Sequence, residues 1–120
     1  MKELSNITEE EAKEMAKAGA DVLVAHMGLT AKGAIGARVA ITLEEAAERV
    51  QRIHDAGKSV NPDVIVICHG GPIAEPKDVE YILSNTSGVT GFFGASSIER
   101  LAVERAITQQ VADFKAITTK

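Results

Sequence analysis

Apolar positions along the chain follow two alternating patterns. Residues 20–26 (ADVLVAH) and 64–68 (VIVIC) are unbroken apolar runs rich in β-branched residues. Runs of this kind form strands buried on both faces, as in a parallel sheet. Strands are therefore predicted near Asp21–Ala25, Val64–Cys68 and Gly88–Phe93, with a fourth, short and polar one near Leu4–Ile7. Between them the apolar spacing is helical. Thr8 with Glu11, Thr42 with Glu45 and Ser96 with Glu99 have capping-box spacing, in which a hydroxyl and a carboxylate satisfy each other's backbone N–H. Helices are predicted from Glu9 to Ala18, closed by Gly19, and from Leu43 to Ala56, closed by Gly57. A short helix opens at Pro76 and runs to Ser84, with Val79, Ile82 and Leu83 inward. A final helix turns Val103, Ile107, Val111 and Phe114 inward. Strand, helix, strand, repeated, is the signature of an α/β domain with parallel strands and crossover helices.

Composition narrows this picture. The chain has 120 residues, enough for one domain over 1–120. It is 45% hydrophobic and only 3% aromatic, so Ala, Val, Ile and Leu supply the core. A net charge of −4, with Lys and Arg scattered among acidic residues, argues against nucleic acid as a partner. The lone Cys68 forms no intrachain disulfide and fits a reducing compartment. No apolar run is long enough to span a bilayer, so the expectation is a cytoplasmic chain with no membrane partner.

Candidate chemistry gathers at the ends of the strands. His26, Cys68 and His69 fall at the C-terminal rim of the sheet, where α/β enzymes place their reactive groups. Consecutive strand residues point to opposite faces, so Cys68 and His69 do not share a ligand, and no CxxC or HxxxH spacing supports a metal site. Cys68 reads as a buried structural residue. His26 and His69 are the candidate catalytic or ligand-contacting groups. His54, late on the second helix, reads as a surface or dipole-compensating residue. The segment 27–41 carries Gly28, Gly33 and Gly36 without the Gly-Lys-Ser/Thr of a P-loop. Its Lys32 and Arg38 offer positive charge to a bound anion, with a plain surface loop as the other reading.

The segments GADVLVAHMGLT (19–30), VIVICHGGPI (64–73) and GFFGASSIERL (91–101) resemble the C-terminal part of the phosphoenolpyruvate hydrolase-like TIM-barrel family, related in fold to indole-glycerol-phosphate synthase. The resemblance implies that the three clear strands correspond to barrel strands six, seven and eight. It implies action on a small phosphorylated or carboxylate molecule, with a divalent metal on family grounds only. In such barrels the loops after strands seven and eight often hold a phosphate through backbone N–H groups. Here Gly70 and Gly71 would form one loop, and Gly94, Ala95, Ser96 and Ser97 the other. Helix capping by Ser96 and anion binding compete for the same N–H groups, and both readings stand. A full barrel needs eight strands and at least ~200 residues. The fold class is therefore a partial (β/α) barrel of three or four parallel strands, an open sheet completed by oligomerisation. The expected function is a non-catalytic or incomplete barrel-like module with an anion site that self-associates, most simply as a dimer. The alternative is a hydrolase or lyase of a small phosphorylated or carboxylate substrate once assembled.

Overall fold

The computed structural model describes residues 3–6, 8–34, 36 and 41–118. Four strands, β1 (Glu3–Asn6), β2 (Val22–His26), β3 (Ile65–His69) and β4 (Gly91–Phe92), form one sheet in the order β1-β2-β3-β4. Every pairing is parallel. The polar segment at 3–6 does form a strand. It pairs Glu3–Asn6 with Val22–Ala25, because an edge strand needs only one apolar neighbour to complete its ladder. The third predicted strand is shorter than Gly88–Phe93: only Gly91 and Phe92 pair with β3.

The helices α1 (Glu9–Lys17), α2 (Leu43–Val60), α3 (Pro76–Ser84) and α4 (Arg100–Lys115) follow the strands in alternation. Thr8 and Thr42 form their capping boxes: each hydroxyl accepts from the backbone N–H three residues on, and Glu11 and Glu45 accept in return. Pro76 opens α3 as expected, and Asp78 accepts the Glu75 N–H at 2.9 Å.

One face of the sheet carries the core. Leu23, Ala25, Val64, Val66 and Cys68 alternate onto it and meet Ala46, Ala47, Val50 and Ile53 of α2 and Ile82 of α3. Leu83, expected inward, is largely exposed. Val22, Val24, His26, Ile65, Ile67 and His69 alternate onto the opposite face. In a closed barrel that face would be the interior. Val22 and Val24 are buried there as well, while Ile65 and Phe93 stay exposed.

Three further expectations are corrected. Helix α2 does not stop at Ala56; it runs through Gly57 to Val60. Gly57 is there for close packing, because a Cβ on it would lie 2.4 Å from Leu23 Cδ1. His54 is not a surface group. Its side chain is only 12% exposed, with Nδ1 2.8 Å from Asp55 Oδ1 and Gly88 lying against its Nε2 edge. The largest departure is α4. Leu101 is buried, but Val103, Ile107, Val111 and Phe114 are each more than half exposed. Among the described residues the sheet has no further strand for this helix to lie on, and it projects outward. The chain spans 70 × 28 × 22 Å, and its radius of gyration of 17.6 Å exceeds the ~14 Å of a compact domain this long.

The Gly57 contact is open to test. Gly57→Val should lower stability by about 1–3 kcal/mol, because Leu23 is fully buried and has no free space to move into. Urea unfolding of the variant against the parent chain measures it, and an unchanged midpoint would show that the helix–strand spacing relaxes freely.

Candidate functional site

The register of β2 and β3 builds the site. Ala25 stands opposite Cys68 and His26 opposite His69, so both histidines end their strands at one level and on one face. Their rings meet edge to face, with centroids 4.7 Å apart and planes at 77°. Cys68 points the other way, into the helix-side core, where burial pushes its thiol up to about 11.

Each imidazole is held at Nδ1 by backbone, and the two partners differ. The Gly28 N–H donates to His26 Nδ1 at 3.0 Å. His69 Nδ1 lies 2.7 Å from the Phe93 carbonyl oxygen, which only accepts. The Phe93 ring also packs edge-on against His69, with centroids 5.0 Å apart. A backbone N–H only donates, so neutral His26 carries its proton on Nε2. Neutral His69 carries its proton on Nδ1 and leaves Nε2 bare. Burial, and then the charge of His69, hold the His26 pKa below the usual histidine value.

The loops beyond the two strands are joined to each other. Met27 N–H donates to His69 O, Gly71 N–H to Gly28 O at 2.8 Å, and Ala31 N–H to Gly71 O at 2.9 Å. Gly70 and Gly71 both have positive φ, and a Cβ on either would collide with the backbone of Gly28 or Met27. Gly71 therefore spends its N–H inside this zipper.

Lys32, a candidate cation, reaches Asp78 at 2.5 Å. Asp78 is buried and also accepts the Ala74 and Glu75 N–H groups. Burial pushes its carboxyl up, but the hydrogen bonds from Lys32, Glu75 and Ala74 outweigh that and leave it below the usual carboxylate range. The contact ties the loop after β2 to the start of α3. Spacing in the sequence gave no sign of it, since the partners lie 46 residues apart. Arg38 lies outside the described residues.

The turn after β4 settles one competition raised by the sequence. Ser96 does not cap a helix with Glu99. Residues 95–99 form a turn in which Ala95 O accepts from the Ile98 and Glu99 N–H groups, and α4 begins only at Arg100. Among the described residues, the N–H groups of Gly94, Ala95, Ser96 and Ser97 have no backbone acceptor. The buried Ser97 hydroxyl also lacks a partner, and it borders an apolar cavity of about 360 Å³ formed with Pro76, Val79, Phe92 and Ile98. The turn starts immediately after Phe93, whose carbonyl holds His69.

A concavity of about 930 Å³ lies elsewhere, along α4 between Ala34, Arg100, Val103 and Ile107. Its charged lining is already engaged: Arg100 bonds Glu104 and Lys32 O, and Glu104 accepts the Ala34 N–H. It marks an uncovered helix flank rather than a shaped ligand cavity. Among the described residues no three of His, Cys, Asp and Glu converge to hold the divalent metal that the resemblance implied.

Burial of His26 sets a pH dependence. The folded chain takes up this proton less readily than the unfolded one, so the contribution of neutral His26 is full above the unfolded pKa near 6.5 and is lost as pH falls toward the depressed folded value. Melting temperature should therefore fall from about pH 7 to pH 5, and His26→Gln should flatten that slope. A slope unchanged in the variant would place its origin in another group.

The chain is 57% identical over 109 residues to the ToMV susceptible protein tm-1(GCR26) of Solanum lycopersicum. It is 56% identical over the same length to the ToMV resistance protein Tm-1(GCR237) of that plant. It is 32% identical over 109 residues to y4pA of Sinorhizobium fredii, whose name casts it as a transcriptional regulator. Each match covers 91% of the chain but only 14%, 14% and 18% of the respective relative. Residues 6–117 match the family described as Phosphoenolpyruvate hydrolase-like, and the chain belongs to that family.

Proposed function

We propose that this chain is part of a (β/α) barrel that binds a small phosphorylated or carboxylate anion at the C-terminal rim of its sheet. The observation that carries this reading is the His26–His69 pair, two imidazoles at one level on the face a barrel would enclose. The unused N–H groups of Gly94, Ala95, Ser96 and Ser97 support it, since such donors at the entry to a helix favour an anion. Glu99 opposes it, so the anion would sit on the Gly94–Ser97 side of the turn. No strand ends on a carboxylate: β1 to β4 end at Asn6, His26, His69 and Phe92. Hydrolysis or lysis of the bound molecule would need acidic groups from outside these strands. The chain alone should therefore bind without measurable turnover of phosphoenolpyruvate.

Amide NMR during a phosphate titration tests the reading. Signals of residues 94–97 and of both histidines should shift together, and Gly94→Val should weaken the response severalfold. Shifts absent from these residues would remove the proposed site. Turnover of phosphoenolpyruvate that survives purification and disappears in His69→Asn would instead establish a catalyst.

Self-association belongs to the same proposal, with a second copy of the chain as the occupant of the α4 stripe. Two antiparallel α4 helices related by a two-fold axis at Gln109 would place Ile107 opposite Val111 of the other copy, and Val103 within one position of Phe114. Such self-complementarity is what an isologous interface requires. An apolar stripe of this length exceeds the scattered exposure usual for monomers. Sedimentation at micromolar concentration should show a dimer, and Ile107→Glu should convert it to monomer. A parent chain that stays monomeric at high concentration would reject the second copy as occupant.

A further inference from the structure

The two histidines differ in what they offer a ligand, and that difference has a consequence for binding. His26 Nδ1 accepts the Gly28 N–H at 3.0 Å, which leaves Nε2–H as its free, donating edge. His69 Nδ1–H donates to Phe93 O at 2.7 Å, which leaves Nε2 as a bare lone pair. The ring centroids lie 4.7 Å apart, edge to face, at one level of the rim. Resting on the reading that this rim binds an anion, we infer that the His26–His69 pair binds a phosphate monoester together with one proton taken from solvent.

The chemistry of the two edges requires it. A phosphate dianion has only acceptors. It can take the His26 Nε2–H, but against neutral His69 Nε2 it sets lone pair against lone pair. One added proton removes the conflict. It resides on a phosphate oxygen, which then donates to His69 Nε2, or on His69 Nε2, which then donates to the phosphate. The proton count of the complex is the same in both forms, and no bond other than that to hydrogen is made or broken. His26 cannot take over this role. Its Nδ1 is committed to Gly28, and burial together with the neighbouring His69 disfavours a second proton on its ring.

Among the described residues, Lys32 and Glu75 of the neighbouring loops are engaged elsewhere. Lys32, on the loop after β2, is held by Asp78, and Glu75, on the loop after β3, is held by Arg105. Cys68 faces the helix-side core and stays a thiol. Glu99 is the one acidic residue of the turn after β4. His69 is thus the group through which proton uptake is linked to binding.

Glycerol phosphate is a suitable probe, because the second pKa of a phosphate monoester is near 6 and the free ligand is a dianion above about pH 7.5. Calorimetric titration of the 120-residue chain in two buffers of different protonation enthalpy should show uptake of about one proton. Affinity should fall about tenfold per pH unit between about pH 7.5 and 8.5. His69→Asn keeps a donor for the Phe93 carbonyl but has no Nε2, and it should bind more weakly with the pH dependence gone. Nitrogen-15 imidazole spectra of the ligand-free chain should show Nε2–H on His26 and Nδ1–H on His69. Binding without proton uptake, or the same tautomer in both rings, would overturn the inference while leaving the anion site intact. No binding of glycerol phosphate at any pH would overturn the anion site and the inference with it.

Discussion

Parallel pairing of β2 with β3, in the register that sets His26 against His69, is the constraint on which the rest of the structure depends. Both strands are apolar on both faces, and parallel strands of this kind need cover on each side. Helices α2 and α3 supply it on one side through Val50, Ile53 and Ile82. Gly57 allows α2 to approach Leu23 closely enough to seal that side. The other face keeps Ile65 and Phe93 exposed. The same register that buries Cys68 among the helices turns both histidines toward the incompletely covered side. Chemistry and missing cover therefore lie on the same face, as expected for strands taken from a barrel.

Backbone contacts convert that register into a shaped rim. Gly71 bonds to Gly28 and accepts from Ala31, so the loops after β2 and β3 leave the sheet as one unit. Gly70 and Gly71 need positive φ to make this crossing, and neither has room for a side chain. Lys32 then anchors the far end of the first loop on buried Asp78, which also receives two N–H groups at the start of α3. Several hydrogen bonds to one carboxylate are what make a buried ion tolerable. The charge that Lys32 offered to a ligand in the sequence is spent on holding the loop.

Much of the framework was legible because its signals are local. Two capping boxes, Pro76 and the runs VLVA and VIVI each act within a few residues, and each formed as the pattern implied. The failures are tertiary. Ser96 and Glu99 have the spacing of a cap, yet the chain turns through 95–99 and begins its helix later. Gly57 looked like a helix end because a glycine needed for packing and a glycine needed for capping are the same letter. The stripe Val103, Ile107, Val111, Phe114 has the period of a buried helix, but a period shows only that a face is apolar. The site was half legible. Strand ends pointed to His26 and His69, while their opposite tautomers depend on Gly28 and Phe93 carbonyl geometry that no spacing encodes.

The position of α4 follows from how its root is held. Arg100 bridges Glu104 and the Lys32 carbonyl, Glu104 receives the Ala34 N–H, and Arg105 pairs with Glu75. These contacts fix the first two turns against the loops after β2 and β3 and leave the remainder without a surface to meet. Exposed ion pairs are individually weak, so their combined effect is directional more than stabilising. They set the direction in which the helix leaves the loops after β2 and β3. A second copy, or further strands from a longer chain, joining the sheet at β4 would form a new seam there. The rim site lies beside that seam, because Phe93, which holds His69, stands at the end of the edge strand. Covering the seam would remove water from the side of the histidine pair and strengthen every hydrogen bond it makes to an anion. On the proposed anion site and the proposed assembly, ligand affinity would be coupled to assembly through the edge strand β4.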